Sequence, residues 1–155
     1  MEIVYALVIF IHPMAALMLI WAFMKQRKWR QRGQFLKGSK RQESLNKHQS
    51  DGNKMMLATV FVIILAFIGE ISRALINGVP YNKYIIPNNF HASGGLLGLL
   101  LMTILWRMGH STKEKKQSKQ PFSKTRDLHG RIGDVMSILI IIHAFLGFLY
   151  LLQVM

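Results

Sequence analysis

The chain has 155 residues, is 51% apolar and carries a formal charge of +13. Those values conflict in a small soluble domain and agree in a membrane protein with basic connections. Cysteine is absent, which excludes disulfides, thiolate metal sites, Cys-ligated clusters and haem attached through Cys-x-x-Cys-His.

Four apolar stretches follow in chain order: Ile3–Met24, Met55–Ile76, Phe90–Trp106 and Ile132–Met155. Each has about the length a helix needs to cross a ~30 Å hydrocarbon layer. Helices satisfy their own backbone in lipid. The sequence therefore predicts an all-α membrane protein, a four-transmembrane-helix up-down bundle in one domain. Helices are expected over about 3–24, 50–76, 89–108 and 128–153, with basic loops over 25–49 and 109–127. Glu2 stands where a signal peptide has its basic region, and "WAFMKQRKWR" lacks a small-residue cleavage site, so the first stretch reads as a retained span.

Of the 20 Lys and Arg, 18 fall between Lys25 and Lys54 or between Arg107 and Arg131. Both segments belong to one membrane face. The positive-inside rule makes that face cytoplasmic or stromal, in a bacterial inner or thylakoid-type membrane, with both termini periplasmic or lumenal. Short basic flanks set topology and hold anionic membrane lipid. No aromatic platform or helix-turn-helix pattern accompanies the charge, which argues against nucleic acid.

Two halves of the chain resemble each other. "HPMAAL" from His12 matches "HASGGL" from His91, and "HQSDG" from His48 matches "HGRIG" from His129. A helical hairpin repeated in the same orientation places a site between the halves. Five of the six histidines also have a small residue at i+4, on the same helix face. These are Ala16 after His12, Gly52 after His48, Gly95 after His91, Gly133 after His129 and Gly147 after His143. His110 has Glu114 instead. Small residues are also common where membrane helices touch.

Ionisable side chains in spans are costly and mostly functional, although a single buried histidine is often structural. Zinc accepts imidazoles but needs no cleared surface. Haem takes two axial imidazoles from facing helices and needs flat walls. In an up-down bundle the first and third spans are diagonal, as are the second and fourth. His12 with His91 and His48 with His129 then become metal ligands for two haems b at two depths. His143, 14 residues after His129, lies about 21 Å deeper on nearly the same face. It competes with His91 as the partner of His12, or bonds a propionate or quinone, or packs. Met14, Met18 and Met102 are thioether candidates or gap fillers.

Propionates favour cations. Lys47, Arg126 and Arg131 flank the basic-face pair, and Arg73 and Lys83 are the only cations of the other face. Arg73 has an alternative local partner in Glu70. Asp51 and Asp134 either orient a basic-face imidazole or are solvated.

Paired histidines on diagonal helices resemble the cytochrome b-561 type of di-haem protein, and the His129–His143 spacing resembles quinol-oxidising cytochromes b. The layout is closest to a family of small four-helix cyanobacterial and plastid proteins with "His-Pro" in the first helix, here His12-Pro13. The resemblance implies non-covalent b-type haems, six-coordinate iron and electron transfer between the two sides, a transmembrane oxidoreductase or carrier. Cytochrome b-561 proteins usually have six helices rather than four, and no ascorbate-binding motif stands here, so donor and acceptor stay open. A quinone, a soluble acidic redox protein and a second copy of the chain are candidate partners. Rival readings are a haem-free accessory or assembly subunit and a small proton-coupled transporter.

Overall fold

A computed structural model describes residues 2–29, 33 and 35–154. Part of the first basic segment, residues 30–32 and 34, lies outside the described residues. Four long helices make the fold: α1 Glu2–Arg27, α2 Gly38–Ile76, α3 Phe90–Gln117 and α4 Ser123–Val154. A single helical turn, Asn82–Ile85, lies in the connection from α2 to α3. All four long helices are long and apolar enough to cross a membrane. Large apolar side chains such as Leu7, Met18, Trp21, Leu57 and Ile138 are more than half exposed on the outer surface. Exposed apolar area on that scale suits a lipid-facing surface and would drive association in water.

The helices form the expected up-down bundle. α1 packs on α2 and α3 on α4 most extensively, while α2 with α3 and α1 with α4 close the ring. The diagonal partners are therefore α1 with α3 and α2 with α4. The buried apolar core lies at mid-height, where Phe23, Met55, Met102, Leu105 and Met136 pack together. Met102 fills space there, whereas Met14 and Met18 face outward. Met14 and Met18 are therefore not placed as thioether ligands, whereas Met102 also borders the cavity of His48 and His129.

The ends of the helices correct the expected boundaries. α2 begins at Gly38 rather than near 50, α3 continues to Gln117, and α4 starts at Ser123. Most of both basic segments is thus helix, and His48 and His110 are helical residues rather than loop ones. The cause is propensity: Lys, Arg, Gln and Glu are good helix formers, so an apolar stretch marks where lipid ends and not where the helix does. The stops are local. Gly78 takes φ +61°, and Val79 N–H reaches back to the Ala74 carbonyl at 3.0 Å, before Pro80. Lys119 takes φ 55°, with Gln120 N–H on the Lys115 carbonyl at 2.8 Å, before Pro121. Each is a left-handed helix stop followed by a residue that cannot continue the helix.

At the other end of α3, the Asn89 side chain accepts the Ala92 N–H at 2.8 Å. This cap fixes where the histidine-bearing first turn begins. Asn89→Ala is expected to cost about 1 kcal/mol, read as a lower thermal midpoint of the purified protein in detergent.

Candidate functional site

Five of the six histidines gather at two heights along the bundle. Towards the end that holds both chain termini, His12 of α1 and His91 of α3 lie with ring centroids 6.1 Å apart and planes at 75°. Nearer the basic end, His48 of α2 and His129 of α4 lie 6.4 Å apart with planes at 88°. Both are diagonal pairs, edge-on to one another, and each opens on a cavity. The first cavity measures about 310 Å³ and the second about 460 Å³. Both volumes fall in the range of cofactor pockets.

Backbone carbonyls hold the rings of the first pair. His12 Nδ1–H donates to the Val62 carbonyl at 3.2 Å, and His91 Nδ1–H donates to the His143 carbonyl at 3.3 Å. A carbonyl only accepts, so Nδ1 carries the proton and Nε2 of the neutral ring keeps its lone pair. Val62 stands fourteen residues after His48, and His143 fourteen after His129. The two bonds are therefore the same bond in each half of the repeat. The histidines that start the halves are oriented alike.

His143 is the break in that symmetry, because its repeat mate is Val62. Its ring stacks on His91 at 4.2 Å and 14°. Stacked rings present their faces, not their nitrogen lone pairs, so nothing fits between these two as a shared ligand. Tyr150 lies parallel to His91 as well, 6.1 Å away at 18°. Its hydroxyl accepts from Arg73 Nη1 at 2.8 Å, and Arg73 pairs with Glu70 at 3.0 Å. The local Glu70 partner expected for Arg73 is thus present, and Arg73 also lines the first cavity. Lys83 is exposed on the short helical turn, outside the residues that line the cavity.

The glycines do a different job from the expected one. A Cβ on Gly147 would come within 2.7 Å of the His91 ring, and one on Gly95 or Gly94 would meet His143 at 3.4 or 3.1 Å. Each small residue receives the histidine of the opposite helix. α3 and α4 run antiparallel, so a histidine followed one turn later by glycine on both helices interlocks reciprocally: His91 on Gly147, His143 on Gly95. Ala16 lines the same cavity. In the second cavity Gly133 has open space around its Cβ position, and Gly52 meets only the end of Gln26 at 3.9 Å. These two leave cleared surface, as the spacing predicts.

Around the second pair, Trp29 stacks on His48 at 4.4 Å and 19°, and its indole N–H is tied to Ser44 at 2.8 Å. Gly109 leaves room for His129, whose ring would be 3.7 Å from a Cβ there. Arg27, Arg41, Lys113, Lys116 and Arg126 line this cavity, and no carboxylate does among the described residues. Arg126 lines it with its guanidinium on Asp127 at 3.2 Å. Arg131 and Lys47 are exposed outside it. Asp134 is engaged by Arg27 at 2.9 Å. Trp29, Tyr150 and Gly109 were not legible as site residues, because each acts on a histidine far away in sequence.

Among the described residues no three His, Asp or Glu side chains surround one point closely enough to hold a bare metal ion. No known family model, curated protein or solved structure matches the chain.

Gly147→Ala places a methyl where the His91 ring lies. The ring has to leave the His143 carbonyl, and overpacking of this kind costs about 1–3 kcal/mol. A lower melting temperature is expected, with disturbance at the first cavity and none at the second.

Proposed function

We propose that this chain is an integral membrane b-type cytochrome, holding two non-covalent haems and passing electrons between carriers on opposite faces. One observation carries the reading: two diagonal imidazole pairs, at two heights, each at the spacing of axial ligands beside a cofactor-sized cavity. Imidazoles bound about 2 Å from opposite sides of one metal have ring centroids about 6 Å apart. The two pairs stand at 6.1 and 6.4 Å. For His12 and His91, whose Nδ1–H is spent on a carbonyl, Nε2 keeps its lone pair. Among the described residues the Nδ1 atoms of His48, His129 and His143 are buried without a hydrogen-bond partner, and such groups call for an explanation. A porphyrin iron takes two protein ligands, so the lack of three-residue metal clusters does not bear on it.

The residues then have separable tasks. His12 with His91, and His48 with His129, would hold the iron, and the Val62 and His143 carbonyls would orient the first pair, as outer hydrogen bonds do for metal-bound histidine. Arg73 at one height and Arg126 at the other offer charge-assisted bonds to propionates. The layer of Phe23, Met55, Met102 and Met136 keeps water out between the heights. Bound haem supplies reversible one-electron chemistry. The basic face is taken as cytoplasmic or stromal by the positive-inside rule.

Protein purified from haem-replete cells is expected to show a sharp Soret band, a b-type α-band on reduction, and two haems per chain. Colourless protein would overturn the proposal. His48→Ala or His129→Ala is expected to lose one haem and spare the other. His143→Val, which restores the residue type of its repeat mate, is expected to retain both. A haem lost from that variant would make His143 a ligand.

A further inference from the structure

The apolar spans end well short of the helices. Lys40 lies fifteen residues before Met55 on α2, or about 22 Å of helix. Lys116 stands ten residues beyond Trp106 on α3, and Lys124 eight before Ile132 on α4, about 15 and 12 Å. A headgroup layer is about 5–8 Å thick on each side of the hydrocarbon. Three helices therefore carry their cations past the headgroups into water. The exposed cations there include Lys37, Lys40, Arg41, Lys113, Lys116, Lys119, Lys124 and Arg126. Glu43, Glu114 and Asp127 are the opposing carboxylates, and Asp127 is already paired with Arg126 at 3.2 Å. The cationic cavity that holds His48 and His129 lies at the base of this protrusion.

We infer that the protruding end is the docking surface for a soluble, acidic one-electron carrier. The identity of the partner as an electron carrier rests on the cytochrome reading. Cations meant only for lipid headgroups need stand no higher than Lys54 and Arg107, which border the spans. Those beyond them present a positive field to a partner in water, close to the second histidine pair. Charge of this kind speeds encounter and fixes orientation, and is screened by salt.

The test uses the full chain in phosphatidylcholine nanodiscs, with a fluorescently labelled acidic [2Fe–2S] ferredoxin as the probe. Binding is read by fluorescence, independently of haem, and the Soret band is recorded on the same sample. Affinity is expected to fall at least about tenfold between about 20 and 300 mM salt. Lys40→Glu/Lys119→Glu/Lys124→Glu is expected to weaken binding about tenfold at low salt while keeping haem content, melting temperature and binding to phosphatidylglycerol vesicles. Lys54→Gln/Arg107→Gln is expected to do the reverse, weakening vesicle binding and sparing ferredoxin. Ferredoxin binding that is absent, insensitive to salt or untouched by the triple reversal overturns the docking surface. So does a triple reversal that weakens only vesicle binding. A colourless chain that binds ferredoxin as expected overturns the cytochrome and keeps the acidic docking surface; a coloured chain that ignores ferredoxin does the opposite.

Discussion

A hydrogen bond from a histidine Nδ1 to a carbonyl of the neighbouring helix governs the arrangement of the first site. The carbonyl oxygens of Val62 and His143 have a second lone pair beyond the one used inside their own helix. His12 and His91 use that spare capacity. In lipid, polar contacts of this type tie helices together without help from the hydrophobic effect. The same bond fixes the tautomer, and with it the direction in which a lone pair is offered. Packing and chemistry are thus settled by one contact, made once in each half of the chain.

The repeat also shows where the halves part. Val62 and His143 hold equivalent places and give equivalent carbonyls, yet only the second half adds a ring there. That ring stacks on His91, and the interlock of His91 on Gly147 and His143 on Gly95 depends on antiparallel helices meeting closely. The first half has Ala16 and Ala66 lining the same cavity. At the basic end the halves differ again: the indole of Trp29 covers His48, whereas His129 borders Gly109. Two heights built from one hairpin have therefore acquired different surroundings, which is how two like cofactors of the proposed kind would be tuned apart.

Much of this was legible in the sequence. Four apolar lengths gave the bundle, and matching histidine motifs gave the two diagonal pairs. The glycine spacing was visible, but its cause was not: i+4 on one helix cannot say whether the vacancy serves a cofactor or the ring of another helix. Gly95 and Gly147 receive rings, while Gly133 stays open. The helix ends were misread because hydropathy reports lipid contact and the charged segments are themselves good helix formers. Trp29 and Tyr150 were invisible for a plainer reason, since stacking partners brought together by tertiary packing leave no local pattern.

The planes of both pairs are close to perpendicular, at 75° and 88°. Under the proposed function, imidazoles crossed in this way on one iron would leave two of its d orbitals nearly equal in energy and make the oxidised low-spin centre strongly anisotropic. Electron paramagnetic resonance of the oxidised protein reads this directly. Two strongly anisotropic low-spin ferric signals are expected, one of them missing in His129→Ala. High-spin iron, a single rhombic signal of parallel imidazoles, or no iron signal at all would contradict the account.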